Sequence, residues 1–113
     1  MKLVLLAALV AAIAVPVAQA ESSKLVATDG PGFTITLTQG GKKVTRLKPG
    51  TYTITVADKS SIHNFHLTGP GVNKKTAVGF KGTKTWKLKL KKGTYKYVCD
   101  PHKSFMKGSF KVS

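Results

Sequence analysis

LKKGTYKYVCDPHKSFMKGSFKV, Leu90 to Val112, is the stretch on which the fold turns. Tyr95, Tyr97 and Cys99 fall on one face of TYKYVC, and Phe110 and Val112 share a face of a last short strand. Successive side chains of a strand point to opposite sides, so period-two alternation marks a strand with one buried face. The same period recurs upstream. Trp86, Leu88 and Leu90 share a face of TWKLKL, Tyr52, Ile54 and Val56 a face of TYTITV, and Phe33, Ile35 and Leu37 a face of GFTITLTQ. Turn clusters (DGPG, GG, KPG, TGPG, KG, KKG) separate the runs, and no segment has the period of a long amphipathic helix. Many short strands at this spacing predict an all-β domain, an antiparallel sandwich or barrel. LKPGTYTITV (Leu47–Val56) and LKKGTYKYVC (Leu90–Cys99) echo each other, as expected of two equivalent strands leading to one end of a sandwich.

The first twenty residues, MKLVLLAALVAAIAVPVAQA, have the layout of a secretory signal peptide. A basic Lys2 precedes an apolar run, and Ala18-Gln19-Ala20 offers small residues for cleavage. The expected mature domain is residues 21–113, exported to a periplasmic or extracellular location. It is one small domain, expected as a monomer. Without Lys2, eighteen basic residues face four acidic ones, a formal charge of +14. Such a charge suits an acidic partner protein, or peripheral association with an anionic membrane or cell wall. The lysines of KGTKTWKLKLKK superficially resemble a nucleic-acid stripe. Trp86, however, is in phase with the apolar face, so the lysines read as a solvated outer face and nucleic acid is not an expected partner.

With one cysteine there is no intramolecular disulfide, and a free thiol is vulnerable in an oxidising compartment. Cys99, His102 and Met106 lie within eight residues at a strand end. Upstream, alternation in SSIHNFHLTGPG puts His63 in phase with Phe65 and Leu67, and turns His66 with Ile62 and Asn64 to the other side. A thiolate, two imidazoles and a thioether form a soft set suited to copper cycling between Cu(II) and Cu(I). Zinc gains little from a thioether, and calcium or magnesium would need more carboxylates. A Cys–His nucleophile pair would need an orienting acid that the sequence does not offer. A plain buried cysteine would leave both histidines as coincidence. His63, Cys99, His102 and Met106 are therefore the candidate ligands of one copper ion.

These residues resemble a cupredoxin, the small blue-copper family of plastocyanin, azurin and pseudoazurin. The resemblance runs from about Phe33 to Val112 and rests on His63-Asn64, Tyr-x-Tyr-x-Cys, Cys99-Asp100-Pro101-His102, Met106 and the closing GSFKV strand. It implies a Greek-key β-sandwich or barrel of about seven to eight strands. It also implies His63, Cys99 and His102 as equatorial ligands, Met106 as a weak axial one, and Asn64 tying the ligand loops together by hydrogen bonds. Met106 follows His102 by four residues, as in azurins, whereas Ile62 stands where azurins have glycine, so no subfamily follows. The implied role is a single-electron carrier, not an enzyme, that docks on a redox partner with an acidic surface. The exposed edge expected for this is His102 with Pro101, Phe105 and the Gly69-Pro70-Gly71 turn. A copper-binding or copper-delivery protein is the alternative reading, and a metal-free cationic sandwich that binds anionic polymers is a third.

Overall fold

The computed structural model describes residues 23–113. The signal-peptide reading of residues 1–20 lies outside the described residues. The described residues form ten strands: β1 Lys24–Asp29, β2 Ile35–Gln39, β3 Lys42–Lys43, β4 Arg46–Leu47, β5 Gly50–Asp58, β6 His66–Gly69, β7 Val72–Lys75, β8 Gly82–Leu90, β9 Gly93–Val98 and β10 Lys107–Val112. One sheet has the order β3-β2-β1-β5-β8 and the other β4-β10-β9-β6-β7. β3 and β4 are two-residue pieces, so eight substantial strands remain, in keeping with the expected count. Two pairings depart from the antiparallel expectation. β1 runs parallel to β5, and β4 parallel to β10. Strands distant in sequence become neighbours here, and a long connection allows parallel pairing where a hairpin cannot.

The alternation seen in the sequence decides which faces meet. Leu25, Ala27, Leu37, Ile54, Val56, Trp86 and Leu90 of the first sheet are buried against Leu67, Tyr95, Tyr97, Phe110 and Val112 of the second. Aromatic rings fill the gap between the sheets. Phe65 stacks on Tyr97 at 5.3 Å and 15°, and Tyr95 on Phe110 at 5.3 Å and 10°. Two glycines make room for these rings. A Cβ on Gly69 would lie 2.1 Å from the Tyr95 ring, and one on Gly108 2.3 Å from the Tyr97 ring.

The echoed segments occupy equivalent places. β5 lies in one sheet and β9 in the other, and both lead to the same pole. Each carries, as its third residue, a tyrosine tied to the backbone four residues earlier. The Tyr52 hydroxyl donates to the Lys48 carbonyl at 2.7 Å, and the Lys91 N–H donates to the Tyr95 hydroxyl at 2.9 Å. At their far ends β5 runs into the segment carrying His63, and β9 into Cys99.

Two expectations are corrected. Phe33 is not an inward residue of a strand: β2 begins at Ile35, and Phe33 is 57% exposed. The Gly69-Pro70-Gly71 turn is at the wrong pole to serve as an edge near the metal. The Pro70 carbonyl accepts from the Tyr95 hydroxyl at 2.8 Å, beside the start of β9. A six-residue strand separates that point from Cys99, about 20 Å along the chain direction.

Candidate metal centre

C-x-x-H becomes a site because the chain leaves β9 through a single 3₁₀ turn, Asp100–His102, with Cys99 as its N-cap. Pro101 sits in the first turn, where its fixed φ suits the helix and its missing N–H is not required. In a 3₁₀ helix residues three apart eclipse, so Cys99 and His102 project to the same side. The turn then tightens onto the strand. The His102 N–H donates to the Cys99 carbonyl at 2.9 Å, the Met106 N–H to the His102 carbonyl at 2.8 Å, and the Cys99 N–H to the Met106 carbonyl at 3.0 Å. The thioether-bearing residue is thereby held four residues beyond His102 and is buried.

His63 comes from the segment after β5, which is pinned by side chains. Ser60 donates its N–H to Asp58 at 3.3 Å, and the Ser60 hydroxyl accepts the Ile62 N–H at 3.2 Å. Thr76 completes the frame: its hydroxyl donates to Asp58 at 3.2 Å and accepts the Phe65 N–H at 3.0 Å. Asn64 joins this segment to the cysteine turn. Its Oδ1 accepts the Asp100 N–H at 2.7 Å, and its Nδ2 donates to the Asp100 carboxylate at 2.8 Å and the Thr76 carbonyl at 3.1 Å.

His63, Cys99 and His102 converge at this pole. The two Nδ1 atoms are 3.2 Å apart, and Cys99 Sγ is 3.6 Å from that of His63 and 3.5 Å from that of His102. A triangle with these sides has a circumradius of about 2.0 Å, the usual bond length from an imidazole nitrogen to a first-row metal ion. Donor atoms gathered this closely are spaced either to share a proton or to hold a cation between them. Burial pushes the Cys99 thiol up. Backbone N–H groups of Asn64 and His102 pull it down, and the charges of Asp29 and Asp100 raise it again. A coordinated cation would deprotonate the thiol outright. The donor set and its spacing fit one copper ion of the type 1 class.

Two features escape sequence reasoning. The first is Phe33, whose ring stands edge-on to both imidazoles, 5.1 Å from each centroid, and 6.1 Å from Phe105. The second is the pair His66 and Asp100, with Nδ1 2.9 Å from Oδ1. Burial alone would raise the Asp100 carboxyl, but hydrogen bonds from His66 and Asn64 and the charges of His66 and Lys75 hold it below the ordinary range. Strand alternation does turn His66 away from the ligand face. No spacing rule, however, links it to an aspartate thirty-four residues on.

A two-sheet sandwich with a His–Cys–His cluster at one pole defines the class: a cupredoxin. The model of a family described as copper binding proteins, plastocyanin/azurin family, matches residues 11–113. The chain belongs to that family. Among solved structures it is similar to reduced rusticyanin, at 23% identity over 80% of this chain and 78% of that one, with a TM-score of 0.57. It is also similar to rusticyanin from Thiobacillus ferrooxidans, at 26% identity over 80% and 76%, with a TM-score of 0.55. The first likeness, at its level of identity, speaks for the fold alone. No curated protein sequence matches closely enough to count as a relative.

Proposed function

We propose that this protein is an exported single-electron carrier and not an enzyme, with His63, Cys99, His102 and Met106 as the ligands of its copper. The observation that carries the reading is the triangle of two imidazole nitrogens and one thiol sulfur, assembled on a rigid frame. A bound copper ion supplies one-electron chemistry between Cu(II) and Cu(I). The residues around it hold the geometry still. Asn64 locks the two ligand-bearing segments together, and the Asp58–Thr76 frame fixes the approach of His63. Little has to move when the charge of the centre changes. His63 and Cys99 are fully buried, which favours retention of the metal over its delivery to an acceptor.

His102 is the partly exposed ligand, and Phe33, Phe105 and Pro101 surround it as the edge through which an electron would pass. The surroundings favour an acidic partner. Among the described residues Asp29 and Asp58 are buried, Asp100 is engaged by His66 and Asn64, and no lysine or arginine forms an ion pair. Arg46, Lys75, Lys96, Lys107 and Lys111 lie exposed on the sheet that carries Cys99. An unneutralised positive surface steers encounter with a negative one and weakens with salt. Among the described residues no helix is long and apolar enough to cross a membrane.

Titration of the purified protein with Cu(II) tests the proposal. An intense blue colour from thiolate-to-copper charge transfer is expected, and Cys99→Ser is expected to abolish it. A colourless product that takes Zn²⁺ as readily as Cu²⁺ would overturn it.

A further inference from the structure

His66 stands outside the ligand triangle, yet both of its ring nitrogens are engaged. Nδ1 lies 2.9 and 3.2 Å from the two carboxylate oxygens of Asp100, so it carries a proton and donates. Nε2 lies 2.7 Å from the side-chain amide of Asn73 on β7, whose N–H group can donate to it. The sheet register puts His66 opposite Val98, the residue before Cys99, on one side and Lys75 on the other. Asp100, the residue after Cys99, gives its second oxygen to Asn64 Nδ2 at 2.8 Å, and Asn64 adjoins His63. Four side chains therefore form one line: Asn73, His66, Asp100, Asn64. It begins on a strand at the sheet edge and ends between the two segments that bear the ligands.

We propose that His66 is a positioning residue for the metal centre, acting through Asp100 and Asn64 and braced by Asn73. This deepens the copper reading and rests on it. An isolated exposed ion pair contributes little to stability. This pair differs in its connections, because the Asp100 oxygen that meets Asn64 is aimed by the imidazole. Without His66 the carboxylate, 37% exposed, keeps only the Asn64 amide to aim it, and that bond between the ligand segments is held less firmly. Asp100 also places a negative charge next to the sulfur-bearing residue. Donation from His66 disperses that charge, so removing the imidazole leaves the oxidised, more positive state of the centre relatively stabilised.

The test uses copper-loaded protein and two readouts, the rate of copper loss to a chelator and the reduction potential. His66→Ala is expected to lose copper roughly tenfold faster and to have a lowered potential, since residues that orient metal ligands typically affect affinity on the order of 10-fold to 100-fold. Thr68→Ala, on the same outward face of β6, is the control and is expected to match wild type. Asn73→Ala is expected to shift both readouts in the same direction by less, and it removes only the exposed brace should His66→Ala fold poorly. In the Asn64→Ala background, His66→Ala is expected to add almost nothing to the rate of copper loss, because the two act along one path. Wild-type values in both His66→Ala and Asn73→Ala would overturn the proposal, as would additive effects in the double variant. A wild-type protein that never turns blue would instead overturn the copper reading itself, before any variant is compared.

Discussion

Phe33 shows how much a single side chain outside the ligand set decides at this pole. It is exposed, yet its ring meets both imidazoles in T-shaped contacts, and Phe105 lies beside it against His102. Such edge-to-face contacts exclude water as well as fixing ring orientation. Phe33→Ala is expected to leave the blue spectrum in place while a chelator removes copper several-fold faster. Unchanged removal kinetics would show that the ring does not guard the site. Period-two reading assigns Phe33 to the core because it stands two residues before Ile35. The backbone leaves the strand pattern at that point, and a loop carries the ring to the metal pole instead.

At the scale of the element, β9 and β10 carry the site because their glycine and tyrosine positions interlock. Gly108 pairs directly with Tyr97, and the tyrosine ring lies over it while stacking on Phe65. Added volume there has no outlet, because the ring is held on its other side. Gly108→Ala is expected to destabilise the protein by about 2–3 kcal/mol, at the upper end of the usual cost of overpacking. A denaturant melt checks this, and a loss below about half a kcal/mol would mean that the ring can yield. The repeated Gly-Thr-Tyr segments are legible in the sequence. That both tyrosines bond to the backbone four residues upstream follows from it less directly, since it depends on the chain doubling back at each turn.

For the molecule as a whole, the parallel pairing of β1 with β5 places Asp29 opposite Asp58, both buried. Burial pushes the Asp29 carboxyl up to about 8, reinforced by a hydrogen bond with Asp58 and by its charge. Among the described residues no group donates to either Asp29 oxygen, so a hydrogen bond between the two carboxyls exists only while the pair holds a proton. An unfolded aspartate titrates near about 4. Between there and about 8 the folded chain therefore binds more protons than the unfolded one, and stability falls as pH rises. Metal-free protein is expected to have a lower denaturant midpoint at pH 8 than at pH 5. Asp29→Asn is expected to remove most of that slope, since its amide donates to Asp58 without a titrating proton. An equally steep slope in the variant would assign the effect elsewhere.

Alternation and turn residues by themselves determined the all-β class, most of the buried face and the repeated strand pair, because each is a local property of the chain. The soft-ligand inventory was equally legible: one cysteine and few histidines leave little choice. Tertiary structure alone decided what lies around them. The partnership of His66 with Asp100, the carboxyl pair at Asp29 and Asp58, the place of Phe33 over the imidazoles and the removal of the Gly69-Pro70-Gly71 turn to the far pole all depend on which strands become neighbours. That choice is made by long-range pairing between the sheets, to which local periodicity is blind.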